Sequence, residues 1–406
     1  MLRSLFSGVS GLRAHQTMLD VVGNNIANVN TVGFKASQVE FQDTLSQVLK
    51  AAGAPQGTQG GTNPAQVGLG VQVAAVNTTF TQGPAETTGV DTDLMIQGDG
   101  FFIVHDGGQQ VYTRDGAFKF DAQGNLTTAN GAPVQGWTAT AGVTNTKAAV
   151  GGIRLPIGIS MQPTATTSAT LAGNLPADGT GSPSSDVKVY DAKGQLADIS
   201  LTYAFTPAVA PATGGTWGLS YTDPSVIPAP AVAPTIAIAF DAVTGKFSGT
   251  NPATVTLNGV PVKLDLSGLT SFGGTNTAEV VTSDGEAMGS LASYSISPDG
   301  TVEGAFTNGL KQSLGQIAIA TFNNPGALNK VGNSEYSQSV NSGAAQIGAA
   351  STGTRGQLAS GVLEGSNVDL AQEFTNLIIA QRGFEANSKV ITTSDEILQD
   401  LVNLKR

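Results

Sequence analysis

The 406-residue sequence predicts a mainly β protein with helical termini: two β-sandwich or barrel-like domains, the second inserted in the first, plus a coiled-coil-like helical domain formed by both ends of the chain. Three observations predict it. Apolar residues step by four and three at the two termini, which is the spacing of a helix seam. Between the termini, apolar and polar residues alternate in short runs, as in half-buried strands. The strand-rich interior is itself interrupted by an Ala/Thr/Pro-rich stretch. The divisions read from these are a terminal helical assembly domain over 1–30 and 364–406, a Gly-rich connector over 31–70, an inner β domain from 71–144 and 285–363, and an inserted outer β domain over 145–284.

At the N-terminus the seam runs through Leu5, Val9, Leu12, Gln16, Leu19, Gly23 and Ile26. At the C-terminus it runs through Leu370, Phe374, Leu377, Gln381, Phe384, Ser388, Ile391, Asp395, Leu398 and Val402. Ser366 and Asn367, followed by Asp369 and Glu373, supply the oxygens and negative charge that favour a helix start near Val368. Short isolated helices are marginal in water unless their apolar stripe is covered. These two are therefore expected to pack on each other or on other copies, which makes the apolar members of both seams candidate assembly residues.

Residues 51–64 are rich in glycine and lack large apolar side chains, as suits a connector. From Val71 onward, strands are expected at 71–76, 94–96, 101–104, 187–190, 199–203, 235–240 and 255–257. Turn chemistry separates them. Asp121 and Gly124, Asp191 and Gly194, Asp241 and Gly245, and Asp299 and Gly300 repeat a strand, Asp, Gly, strand form, and Asn130-Gly131, Asn258-Gly259 and Asn308-Gly309 add tight-turn dipeptides. Pro207, Pro211, Pro224, Pro228, Pro230 and Pro234 mark loops of the inserted domain.

A net charge of −11 without a basic run excludes nucleic-acid binding through phosphate neutralisation. The absence of cysteine excludes disulfides, thiolate metal sites and cysteine nucleophiles. No Sec signal or membrane-spanning apolar run is visible. His15 and His105 are the only histidines and have no neighbours at metal-ligand spacing. No Gly-x-Ser-x-Gly elbow or phosphate loop occurs, Gly98-Asp99-Gly100 lacks the rest of a dinucleotide fingerprint, and Asp91 and Asp93 lack the rest of a calcium loop. Neither an enzymatic site nor a cofactor or metal is expected.

The run from Asn24 to Lys35, with Asn25, Ala27, Asn28, Thr31, Gly33 and Phe34, resembles the N-terminal signature of the bacterial flagellar axial family of rod, hook and hook-associated subunits. Ser366 to Leu370, and the run from Gln381 through Arg382 and Asn387 to Ile391, resemble its C-terminal signature. The stretches 93–102 and 112–118 look like the β domain shared by hook and distal-rod members, and a second inserted β domain is the pattern of the hook branch. The resemblance implies a homopolymer: paired terminal helices lining a channel, β domains outside them, and a curved tube acting as a flexible universal joint between rod and filament. It implies export to the extracellular flagellum without a cleaved Sec signal, and contacts with the distal rod protein, the hook cap and the hook-filament junction proteins. A distal-rod role, or a secreted β-rich adhesin that would leave both helix seams unexplained, are the alternatives.

Overall fold

The computed structural model describes residues 2–55, 57, 60–155, 158–207, 215–222, 235–257 and 259–403. Pro211, Pro224, Pro228, Pro230, Pro234, Asn258, Leu404, Lys405 and Arg406 lie outside the described residues. The fold is mostly β with a helix at each terminus, the class the sequence predicts. It divides into two compact units, one comprising 1–157, 295–303 and 313–406 and the other 158–294 and 304–312.

In the first unit, α1 spans Leu2–Ala27 and α2 spans Leu370–Asn403. Helix α2 begins at a cap: Asp369 Oδ1 accepts the N–H groups of Ala371 and Gln372, orphan donors at a helix start. The central β element is Phe101–Asp106, antiparallel to Gln109–Thr113 on one side and to Lys311–Thr321 on the other. Gln109–Thr113 continues to Glu335–Ser337 and then Asn329–Gly332. Successive side chains of a strand point to opposite faces, and here both faces are covered. Phe102 and Val104 join one core with Leu94, Ile96 and Ile317, while Phe101 and Ile103 join another with Tyr112, Trp137 and Tyr336. That double burial is why this strand reads as an unbroken apolar run.

The stretch read as a connector carries paired strands. Ser37–Asp43 pairs antiparallel with Val71–Thr78, and Ser46–Lys50 with Ala65–Gly68. Phe41, Val48, Leu49 and Val67 are exposed, so little alternation against a core announces the strands before Val71.

The second unit is a sandwich of two four-stranded sheets. One orders Ser184–Tyr190, Leu196–Pro207, Gly215–Tyr221 and Thr235–Ile238 as an antiparallel meander. The other orders Ala253–Leu257, Val260–Thr270, Ser168–Asn174 and Glu279–Ser283, with a parallel pair in the middle. Period-two burial is regular: Ile199, Leu201 and Tyr203 are buried while Ser200 and Thr202 are exposed. The two inner faces meet in one core, where Val187, Trp217 and Leu219 pack with Leu171, Val255, Leu257 and Leu264.

The expected Asp and Gly turns form by one local mechanism in both units. Asp121 Oδ1 accepts the N–H groups of Gln123 and Asn125 at 2.9 and 2.7 Å, and Asp191 Oδ1 accepts those of Lys193 and Gln195 at 2.8 and 2.7 Å. The glycine that follows takes positive φ, 82° at Gly124 and 77° at Gly194, where a Cβ would be strained.

Candidate assembly surface

The two helices pack antiparallel on each other through small and polar residues. Ser4 Oγ lies 3.5 Å from Ser394 Oγ, and Asn25 Nδ2 donates to Glu373 Oε1 at 3.0 Å near the opposite end. Between these rungs the backbones come close because side chains are missing. A Cβ at Gly8 would stand 3.2 Å from Ile391, one at Gly11 2.6 Å from Asn387 Oδ1, and one at Gly383 2.5 Å from the His15 ring. Steps of three or four along α1 run against steps of three or four back along α2. Ala14, Val22 and Ala380 are buried in the same stripe. His15, wedged over Gly383, also stacks edge-on to Phe41 at 5.8 Å, and its Nδ1 is buried without a partner. It is a packing residue of the helix pair.

This inner stripe lies one residue before the expected seam on both helices: Gly8, Gly11, His15, Val22 and Asn25 precede Val9, Leu12, Gln16, Gly23 and Ile26. On α2, Glu373, Ala380, Gly383, Asn387 and Ser394 precede Phe374, Gln381, Phe384, Ser388 and Asp395. One residue is a rotation of about 100° in an α-helix. Most of the large apolar residues are thereby turned away from the contact between the two helices, Ile391 against Gly8 being the exception. Val9, Leu370, Phe374, Phe384 and Val402 are 38 to 69% exposed, and Leu5, Leu12, Leu19, Ile26, Leu377, Ile391 and Leu398 are half-buried. Phe6, Ile378, Ile379 and Ile397 are exposed as well. The signal that marks the inner stripe is residue size, carried by Gly8, Gly11, Ala14, Ala380 and Gly383, and apolar periodicity does not detect it.

The signature residues secure the helix ends. Asn25 is buried: its Nδ2 donates to Ser37 O at 2.8 Å and its Oδ1 accepts the Ser37 N–H at 3.0 Å, which ties α1 to the strand after it. Asn28 Nδ2 donates to the Asn24 carbonyl, and Thr31 Oγ1 donates to Asn28 Oδ1, closing the turn. Ala27 is exposed at the last turn of α1. Gly33 has φ of +66°, donates its N–H to Glu364 O at 2.7 Å, and sits where a Cβ would lie 2.5 Å from Asp115 N. Phe34 carries the Lys330 ammonium 5.1 Å above its ring. On α2, Asn387 fills the space over Gly11, whereas Gln381 and Arg382 face solvent, with Arg382 paired to Glu385.

A buried ion cluster, not foreseen from the sequence, joins the roots of both helices to the β core. Glu364, just before α2, receives Lys35 Nζ at 2.6 Å on Oε1 and Arg114 Nη1 at 3.4 Å on Oε2, with all three side chains 3% exposed or less. The Gly83 N–H also donates to Oε1, Lys35 donates to Thr81 O, and Arg114 donates to Gly98 O and lies over the Phe101 ring. Burial pulls the Lys35 ammonium below its usual range, partly opposed by the Glu364 carboxylate. Removing one member of such a cluster costs about 3 to 5 kcal/mol, because the remaining charge stays buried and uncompensated.

Four family models match the chain. They are the flagella basal body rod protein over residues 5–35, the flagellar hook protein FlgE/F/G D1 domain over 95–179, the flagellar basal body protein FlaE D2 domain over 160–286, and the flagellar basal body rod FlgEFG protein C-terminal model over 359–404. The flagellar hook protein FlgE of Borreliella burgdorferi is 39% identical over 445 residues, with each chain covered completely. The flagellar basal-body rod protein FlgG of Bacillus subtilis is 32% identical over 407 residues, also with complete coverage of both. The crystal structure of Helicobacter pylori flagellar hook protein FlgE2 shares the fold at a TM-score of 0.52 and 14% identity, covering 69% of this chain and 100% of that one. The D2 match falls on the second unit, and with the full-length identity to a hook subunit it decides the branch: the chain belongs to the flagellar hook protein family.

Proposed function

We propose that this chain is the structural subunit of the bacterial flagellar hook, and that copies of it assemble into a curved tube through the outer stripe of the helix pair. The observation that carries the contact is the division of labour on the helices: the stripe that pairs them within one chain is small and polar, and the large apolar residues are left uncovered. Apolar surface gains roughly 25 cal/mol per Å² when removed from water, so the uncovered stripe holds free energy that only another copy releases. The role is structural, with no chemistry asked of any side chain. The tube stands outside the cell, is exported without a cleaved Sec signal, and meets the distal rod protein, the hook cap and the hook-filament junction proteins at its ends. The helical termini form its assembly domain, the β residues of 71–144 and 285–363 its middle wall, and residues 145–284 its outer face. A chain with only 12% charged residues suits copies that slide past one another as the tube bends, since few ion pairs must break.

The test is the double substitution Leu398→Asp with Val402→Asp, placed on the last turns of α2. Two carboxylates in an apolar contact lose hydration without gaining partners, at several kcal/mol per contact. The β units should melt as in the parent chain, while sedimentation and electron microscopy should find no tubes. Normal tubes would remove the outer stripe from the interface.

A further inference from the structure

A cavity of about 310 Å³ with a mixed polar and apolar wall opens between α1, α2, the strand Ser37–Asp43 and the segment that holds Asn367. Among the described residues, Glu373 is the only ionisable one in its wall, which otherwise consists of neutral polar side chains such as Gln38, Thr81 and Gln372 and apolar ones such as Met18, Val21 and Val39. Its side chain is more than nine-tenths buried. One oxygen, Oε1, accepts from Asn25, but Oε2 is buried without any hydrogen-bond partner. The wall amide of Asn367 is already committed, accepting from Ala36 N–H and donating to Thr79 and Thr81. A carboxylate oxygen removed from water and left unpaired is costly, and that cost is incurred when the chain folds. A cation brought to this oxygen by a turn of the side chain toward the cavity would therefore meet a carboxylate whose desolvation is already complete.

We propose that the Glu373 cavity is a socket for a basic side chain of a second copy of this chain. The proposal rests on the assembly reading above and adds a polar, directional contact beside its apolar one. Charge complementarity selects the occupant. Among the described residues, the exposed helix cations Arg3, Arg13 and Lys389 form no ion pair, whereas Arg382 is held by Glu385 on its own helix. A copy laid against the helix pair brings those same three cations with it. Charge-assisted hydrogen bonds are the strong ones, and one made to an already desolvated carboxylate fixes position as well as affinity. The socket would set the register between copies, which an apolar stripe alone does loosely.

The experiment uses the full-length chain and measures the critical concentration for assembly by sedimentation. Glu373→Gln keeps an oxygen acceptor for Asn25 and removes the charge. It should leave monomer melting unchanged and raise the critical concentration about tenfold, which corresponds to about 1.4 kcal/mol. Arg3→Gln, Arg13→Gln and Lys389→Gln are exposed changes that do not touch the fold. One of them should raise the critical concentration as much as Glu373→Gln does, and should add nothing when combined with it. Parental assembly by Glu373→Gln would overturn the proposal. So would a lowered monomer melting temperature, which makes the residue a folding element, or full additivity with all three cation variants, which leaves only water or a free ion in the cavity. The unsubstituted chain serves as the control for the reading beneath: if it forms no tubes, assembly itself fails, and if it does, the variants judge the socket alone.

Discussion

The second β unit and the terminal helix pair bury opposite things. In the sandwich, Trp217, Leu219, Leu257 and Leu264 point inward while Thr216, Thr256 and Lys263 beside them face solvent. In the helix pair, Gly8, Gly11, Ala380 and Ser394 point inward while Phe374, Phe384 and Val402 face outward. A region that encloses its large apolar residues is finished when the chain folds. A region that encloses its small ones is finished only when something else arrives. On the proposed function, the difference separates folding residues from assembly residues within one chain.

Truncating one large residue in each region gives the widest contrast. Trp217→Ala should cost the second unit about 3 to 5 kcal/mol, since the ring is fully buried and packs 5.3 Å from Phe205. Phe374→Ala, at a position 51% exposed, should change monomer stability by no more than about 0.5 kcal/mol and yet weaken assembly. Denaturant melts of both variants beside their sedimentation profiles would check this, and a large monomer loss at Phe374 would break the comparison.

Glycines sharpen it within a single helix. Gly11→Val should push α2 away from α1 and cost about 1 to 3 kcal/mol, because Asn387 occupies the space the new side chain needs. At Gly23, also on α1, an added Cβ would meet nothing within 4 Å, so Gly23→Ala should instead stabilise the helix by about 0.5 to 1 kcal/mol. Opposite signs in thermal melts are the expected result.

Acid should separate the two units more gently. In the second, hydrogen bonds from Thr244 hold Asp241 below 3.8, those from Ser267 and Asn251 hold Asp265 below it, Asp178 is lowered by Thr180, and at Asp284 burial pulls upward but donors from Ser168 and Thr167 prevail. Stability from these carboxylates is present above pH 3.8 and is lost as pH falls through their lower folded values. In the first unit, burial raises Asp115 above 3.8 and Glu335 above 4.5, so those two favour the fold more as pH drops, against Asp121, which is lowered by Asn125. Between pH 5 and 3 the second unit's melting transition should therefore fall further than the first unit's in calorimetry.

How much of this was legible depended on how local each cause is. The strand containing Ile199, Leu201 and Tyr203 shows its period directly, and the Asp191 to Gly194 turn is made by hydrogen bonds within five residues, so both read from the chain. Both helices read from their apolar steps, but apart from Ile391 those steps mark mainly the face that the partner helix leaves uncovered. The true contact is written in glycine and alanine, whose meaning appears only once Gly11 is set against Asn387. The Lys35, Arg114 and Glu364 cluster joins residues 250 and 329 positions apart, and no spacing rule reaches that far. The strands Ser37–Asp43 and Ser46–Lys50 escaped because the second is exposed throughout and the first alternates only over Ser37 to Glu40, without a buried residue.

The central claim is that the outer stripe, exposed in one chain, is covered by other copies in the tube. The chain has no cysteine, so a single introduced thiol is a unique probe. Phe374→Cys and Val402→Cys, each made alone, should react with a water-soluble thiol reagent in the monomer. In tubes verified by electron microscopy, the same thiols should react at least about tenfold more slowly, as expected for side chains excluded from solvent at a packed interface. Reaction at the monomer rate in intact tubes would contradict the account.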